Sequence, residues 1–406
     1  MDDSYLLRSQ SELVLTEARR QKSERTKTLG SPIQLSGKAL DIQIQGNNAW
    51  IAENAHVAKK IDLETGKTLQ IYRGHSAPVT CLAFCDRFPH SGDSKLLITG
   101  SWDKTIKVWD TNTKEIISST LAHEDFVKTL FVVSATKLLI SSSSDKIVRI
   151  WDISDATEGK ALTAVGSISA HTRPVESISA EANVDGSVTL FTADTMGVIK
   201  VWTLEKELGS QPRWRSVLKD TLDYHRTRVT ELLYGAGQIW TASSDETVQV
   251  IPYLPGDPTI KPPPPIMHPL PVRALLPLSL TDLGEPYLIT GFGDVIRVYD
   301  VASITEPEIL GEIDAHWHDV TALRLWTRTS KGEDGRTRIE PWIVSTSLDS
   351  TIRKWRLSEL LTSTPKNPPG DARPAIIAPL SEPKGEAKNQ EELTEDEERE
   401  LAELMG

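Results

Sequence analysis

Cysteine is nearly missing: of 406 residues only Cys81 and Cys85 carry a thiol. Four steps apart on one strand they would sit roughly 13 Å from each other, beyond the span of a disulfide, and two thiols are too few for a structural zinc site. They read as small core residues of a protein kept in a reducing compartment. Long apolar runs are missing too. No stretch of about 18 apolar residues occurs, so no transmembrane helix is expected, and the opening MDDSYLLRSQ is acidic, without the apolar heart of a secretory signal. The expectation is a cytoplasmic and/or nuclear protein with no membrane partner. Positive charge is in deficit: 45 Lys and Arg stand against 57 Asp and Glu, a net of −12. Phosphate neutralisation needs clustered cations, so nucleic acid is disfavoured and a basic protein is the easier partner to picture. The stretch Arg19, Arg20, Lys22, Arg25, Lys27 is broken by Glu17 and Glu24 and reads as a solvated helix face rather than a nuclear signal. A nucleophile–base set, a metal-ligand cluster and a glycine-rich phosphate loop are also missing. No catalytic residue, cofactor, metal or small-molecule substrate is therefore expected.

Tryptophan is what the chain does have. Aromatics make up only 6%, yet 11 Trp outnumber 7 Tyr and 6 Phe, which suggests one Trp-bearing unit used repeatedly. Segments 96–110 (LLITGSWDKTIKVWD), 138–152 (LLISSSSDKIVRIWD), 189–202, 239–250, 288–300 and 342–355 align as a β-rich run, a short polar turn and an alternating strand with an aromatic or apolar end. Alternation such as Ile106-Lys107-Val108-Trp109 sends one face inward and the other outward. Before most runs a His is followed shortly by Val, as in GHSAPV (74–79), AHEDFV (122–127), AHTRPV (170–175), YHRTRV (224–229) and AHWHDV (315–320), with the shorter HPLPV at 268–272. The strand ends Ile61, Trp109, Trp151, Trp202, Ile251, Tyr299 and Trp355 recur at 42 to 56 residues, the period of a four-stranded propeller blade with insertions.

The GH…WD pattern resembles the WD40-repeat family over roughly residues 38–357, strongly in three units and weakly in four. The resemblance implies an all-β fold: a seven-bladed WD40 β-propeller closed by an N-terminal strand, with short helical N-terminal and C-terminal extensions. It also implies a side-chain relay in each good blade. The matching residues are His75, Ser101, Asp103 and Trp109; His123, Ser143, Asp145 and Trp151; and His316, Ser347, Asp349 and Trp355. A carboxylate in a tight turn can hold a buried imidazole, and a buried indole N–H needs an acceptor, so these residues are expected to be structural. The fourth unit has Met196-Gly197 where the turn Asp belongs. The fifth keeps His225 and Asp245 but has Ile251 for Trp; the sixth has Tyr299 and a shifted Asp294. The first keeps only its strand pattern. Such units are expected to rely on apolar packing.

No outer strand for the last blade follows Trp355, so residues 31–35, before the first blade, are expected to supply it. The domain reading is 1–28 as an N-terminal helical extension, 29–360 as the propeller, 361–390 as a disordered Pro-rich linker and 391–406 as an acidic C-terminal helix. In that helix Thr394 would cap a first turn of Glu395, Asp396 and Glu397. From Glu382 onward ten acidic and three basic residues leave a net of −7. The prolines at 262–265 favour a stiff blade connection, and 328–340 reads as a polar loop.

In such a propeller the loops leading into each blade and the turns between its second and third strands share one rim. Trp102, Phe126, Arg173, Arg226, Arg228 and Trp317 fall there and are of the types enriched at binding hot spots. The functional expectation is a scaffold or adaptor mediating protein–protein interactions in a multiprotein complex. The alternatives are an assembly factor or chaperone for a basic client, such as a ribosomal protein or histone, and a ubiquitin-ligase substrate receptor. The receptor is disfavoured because no Arg or Lys follows shortly after Asp110 or Asp152.

Overall fold

The computed structural model describes residues 10–86, 95–156, 158–207, 209, 212–253, 262–331 and 337–363. The chain opens with helix α1 (Gln10–Thr26) and a short strand β1 (Ile33–Gln34), then winds through seven antiparallel sheets of four strands. The first blade holds β2 (Ala39–Gln45), β3 (Asn48–Glu53), β4 (Val57–Asp62) and β5 (Thr68–Arg73). The second holds β6 (Val79–Asp86), β7 (Lys95–Ser101), β8 (Thr105–Asp110) and β9 (Ile116–Leu121). The third holds β10 (Val127–Val133), β11 (Leu138–Ser143), β12 (Val148–Asp152) and β13 (Thr163–Ile168). The fourth comprises β14 (Val175–Ala182), β15 (Val188–Asp194), β16 (Val198–Lys206) and β17 (Trp214–Asp223), and the fifth β18 (Val229–Gly235), β19 (Gln238–Ser243), β20 (Thr247–Pro252) and β21 (Ile266–Met267). The sixth has β22 (Val272–Pro277), β23 (Tyr287–Phe292), β24 (Val295–Asp300) and β25 (Glu308–Asp314). The seventh has β26 (Val320–Lys331), β27 (Thr337–Ser347) and β28 (Thr351–Arg356), followed by helix α2 (Leu357–Thr362).

A single four-stranded sheet has no way to cover its own faces, and the packing reflects this. The large apolar clusters fall at the seven junctions between neighbouring blades. One joins Trp50 and Tyr72 to Val79, Leu97 and Trp109; another joins Ile33, Ile42 and Ile61 to Trp326, Val344 and Ile352 across the seam of the ring. Second strands sit between two such layers, so β11 is buried at every residue, whereas the outer β9 alternates with solvent. Cys81 and Cys85 both lie on β6 as buried free thiols.

Strand β1 supplies the outer strand of the seventh blade, Ile33 opposite Ile352 and Gln34 opposite Thr351. Two residues are a short clasp, and side chains reinforce it. Arg353, only 2% exposed, donates to the carbonyls of Thr26 and Leu29. Gly30 turns there at φ +66°, where an added Cβ would stand 2.7 Å from the Trp355 ring, so only glycine fits. Lys22 of α1 bonds Asp294 at 2.6 Å and Asp314 at 3.0 Å in the sixth blade. The segment 328–340 is a correction to the expected loop: β26 and β27 stay paired out to Lys331 opposite Thr337. Arg328 stacks near Trp326 and Trp342 and reaches Glu64 of the first blade, which gives the longer hairpin a reason to remain ordered. The expected linker beyond residue 363 and the expected helix 391–406 lie outside the described residues.

Candidate functional site: blade relays and the channel mouth

Four of the relays begin at an indole. In the second blade Trp109 Nε1 donates to Thr99 Oγ1 at 2.8 Å, Thr99 Oγ1 lies 2.7 Å from His75 Nε2, and His75 Nδ1 lies 2.8 Å from Asp103 Oδ2. An indole can only donate and an ionised carboxylate can only accept, so the hydroxyl accepts from Trp109 and the His75 Nδ1–H is aimed at Asp103. The third blade repeats this with Trp151, Ser141, His123 and Asp145, and the seventh with Trp355, Ser345, His316 and Asp349.

The hydroxyl is a correction. Ser101, Ser143 and Ser347 share a strand face with Thr99, Ser141 and Ser345 but sit at the strand tip, one side-chain repeat beyond the indole's reach. They accept instead from the N–H groups of Asp103, Asp145 and Asp349, and Ser101 and Ser347 also bond the carbonyls of Ala77 and His318. They fasten the turn, while the residue two positions earlier carries the relay.

The fourth blade corrects a second expectation. It has a full relay, Trp202–Thr192–His171–Asp194. Asp194 occupies the strand-tip slot held elsewhere by serine, and the turn amides of Met196 and Val198 donate to it. The fifth blade links Thr241, His225 and Asp245 without an indole. In the sixth, His268 meets Thr290 and the Tyr299 hydroxyl, each at 3.1 Å, and the Ile266 carbonyl, with no carboxylate partner; Asp294 is engaged by Lys22. Apolar packing is therefore not the sole support of these three blades.

The electrostatics follow the same division. Burial by itself would raise Asp349, but hydrogen bonds from His316 and Thr351 and the nearby Arg353 outweigh it and hold the carboxyl below its usual value; Asp103, Asp145 and Asp245 are lowered for similar reasons. Burial pushes the His316 imidazole down, in keeping with a neutral ring. His268, buried and facing the Arg297 charge, is lowered to about 3.

Above the relays the seven innermost strands share one irregularity. In β2, β6, β10, β14, β18, β22 and β26 the register slips between the first and third residues. A bulge re-aims the extra side chain. The extra residues are Leu40, Thr80, Lys128, Glu176, Thr230, Arg273 and Thr321, and all seven line a hollow of about 180 Å³ at the mouth of the central channel, with Trp102, Arg228 and Leu348. No sequence expectation included these seven. The signal was the position directly after the recurring Val (Ala39 in the first blade), whose residue type changes from blade to blade.

The mouth is chemically two-sided. Glu176 holds Arg228 at 2.7 Å and Lys128 at 3.3 Å, and Asp319 holds Arg273 at 3.1 Å. Burial acts to raise Asp319, but His318, Arg273 and, from α1, Arg19 bring it to about 2. On the other side Trp102 stacks on Phe126 at 4.9 Å, against Leu40, Ala77 and Leu348. Trp102 is thus only 8% exposed, not the exposed anchor its polar turn suggested, because side chains from other blades close over it. Its Nε1 is buried without a hydrogen-bond partner. Arg173 and Arg226 are exposed at the rim and Trp317 is half-buried, with its backbone N–H facing Asp349. Among the described residues no group of three or more His, Cys, Asp or Glu side chains is arranged to hold a metal ion, and no helix is long and apolar enough to cross a membrane.

Seven four-stranded blades, four of them with a full Trp–hydroxyl–His–Asp relay, have the build of a WD40-repeat propeller, and the comparisons agree. Residues 66–110 and 115–152 match the WD domain, G-beta repeat family, and the chain as a whole has the seven-bladed fold of WD40-repeat propellers. It is 28% identical to an uncharacterized WD repeat-containing protein of Schizosaccharomyces pombe, over 99% of this chain and 98% of that protein. It is 36% identical to the mRNA export factor GLE2 of Chaetomium thermophilum over 72 residues, 18% of this chain and 19% of that one. The crystal structure of the computationally designed Ika8 protein aligns with a TM-score of 0.54 at 23% identity, covering 79% of this chain and 83% of that one, a likeness of fold.

Proposed function

We propose that this protein is a non-catalytic scaffold of a multiprotein complex and that a protein partner docks on the channel-mouth face. Arg173, Arg226, Arg228 and Trp317 would make contact around the Trp102–Phe126 stack. One observation carries the reading. Seven blades keep the same bulge, and several keep the same relay beneath it, yet the seven re-aimed side chains are one leucine, three threonines, two cations and a carboxylate. A position with a fixed backbone and a varied side chain is suited to recognition rather than to holding the fold. The partial similarity to an mRNA export factor favours a nuclear or cytoplasmic setting.

The test is affinity purification from cells with an Arg173→Glu/Trp317→Ala double variant. The expected result is an unchanged melting temperature and loss of specific partners. Retention of every partner by the folded variant overturns the assignment of this face.

A further inference from the structure

The outer wall carries a larger hollow, of about 960 Å³, between the third and fourth blades. The paired β16 and β17, nine and ten residues long, overhang the six-residue β13, the edge strand of the third blade. Gly166 of β13 forms the floor, where an added Cβ would lie 2.8 Å from the Trp214 carbonyl oxygen. The walls include Arg149, Val165, Arg213, Trp214, Arg215 and one carboxylate, Glu207. Arg149 Nε is buried without a hydrogen-bond partner. Arg213 reaches Glu207 at 3.7 Å with side chains 78% and 44% exposed, a pair of little energetic weight. Arg215 stands opposite Glu205 in the ladder. The hollow therefore offers three guanidinium groups against one lining carboxylate, an apolar strip, and a strand edge that pairs with no further strand among the described residues.

We infer that the acidic C-terminal segment of this same chain, residues 391–406, occupies this hollow. That segment carries eight carboxylates and one arginine, with Leu393, Leu401, Leu404 and Met405 among them. Carboxylates pair with guanidinium forks through charge-assisted hydrogen bonds, and the leucines suit Val165 and Trp214. The tether is long enough: from Ser363 to Glu391 the chain spans up to roughly 90 Å when extended, against a radius of gyration on the order of 22 Å for a compact chain of this length. Tethering also supplies an effective concentration in the millimolar range, so weak contacts suffice. Lys22 of α1 is a poorer host, because its side chain is only 16% exposed and is held by both Asp294 and Asp314. Occupancy would cover the β13 edge, which makes no ladder with a further strand among the described residues.

Amide hydrogen exchange on the full chain tests this. Two variants are compared with the parent: a tail variant with Gln in place of Glu391, Glu392, Glu395, Glu397 and Glu398, and an Arg213→Glu/Arg215→Glu variant at exposed positions. In both, exchange across residues 163–168 should speed up at least fivefold, as it should for the parent on raising salt. Adding Glu395→Lys and Glu398→Lys to the arginine variant should restore protection. Unchanged exchange in the tail variant overturns the inference. So does protection that fades on dilution, which would put the tail on a second copy, or a tail-dependent change confined to residues 16–26.

Discussion

The sixth-blade histidine makes the sharpest prediction, because it is the relay imidazole that lacks a carboxylate partner. His268 is 5% exposed, with Phe292 and Tyr299 rings at 5.1 and 5.5 Å and the Arg297 guanidinium 4.7 Å over Phe292. Burial first, and the Arg297 charge second, press its pKa from 6.5 to about 3. The unfolded chain takes up this proton as pH falls through about 6.5, whereas the folded chain does so only near 3. The stabilising contribution is therefore complete above the unfolded value and lost as pH falls below it. Between pH 7 and pH 5 the linkage amounts to about 2 kcal/mol from this one ring. A His268→Gln variant keeps an amide that can face Thr290 and Tyr299 but does not titrate. Urea unfolding of both proteins at pH 7, 6 and 5 should show the parent losing about 2 kcal/mol more than the variant over that range, since all other groups titrate alike in the two. Parallel pH dependences would mean that the ring is protonated in the fold or open to water, and the reasoning would fail.

Three further outcomes follow from the same geometry. Thr99→Val preserves shape but strands the Trp109 indole and the His75 ring, so it should cost about 2–4 kcal/mol, against about 1 kcal/mol for Ser101→Ala; paired denaturation curves decide between the two hydroxyls. Arg353→Met removes the donor to Thr26 and Leu29, and trypsin should then cut after Lys27 at least tenfold faster with the blades still folded; an unchanged rate would show that β1 holds without it. Burial, aided by Asp86, pushes the Cys85 thiol up to about 12, and burial raises Cys81 as well. A thiol reagent at pH 8 should therefore titrate neither in the native protein and both after unfolding.

The repeat was legible because its chemistry sits at fixed offsets. His123, Asp145 and Trp151 are recognisable as residue types at regular spacing, and the missing outer strand pointed to residues 31–35 because a blade needs four. Offsets also set the limit. Thr99 and Ser101 are both hydroxyl residues on one strand face, and choosing between them needs the reach of the indole, which is a distance rather than a pattern. Asp194 was passed over because it supplies the carboxylate from the strand tip and not from the turn. Trp102 looked exposed because its immediate neighbours are polar, while the groups that bury it, Leu40 and Leu348, come from the two ends of the chain. The bulge residues were hidden for a different reason: a search for recurrence does not find a position whose residue type varies.

The seam of the ring shows how so short a clasp is sufficient. A two-residue strand contributes little ladder, yet the seventh blade must resist opening as well as the six continuous ones. Cations do much of that fastening, and they mostly seek backbone oxygens. Arg353 binds the carbonyls of Thr26 and Leu29, and Lys354 Nζ binds the Leu63 carbonyl at 2.7 Å in the first blade. Bonds of a buried cation to carbonyl dipoles are poorly screened by salt, unlike exposed ion pairs. Arg328–Glu64 and Lys22–Asp294 then add ionic ties farther out. The closure should accordingly survive high salt even where the outer ties weaken. That separates it from the proposed tail contact, whose acidic segment and exposed arginines are the arrangement salt disrupts most readily.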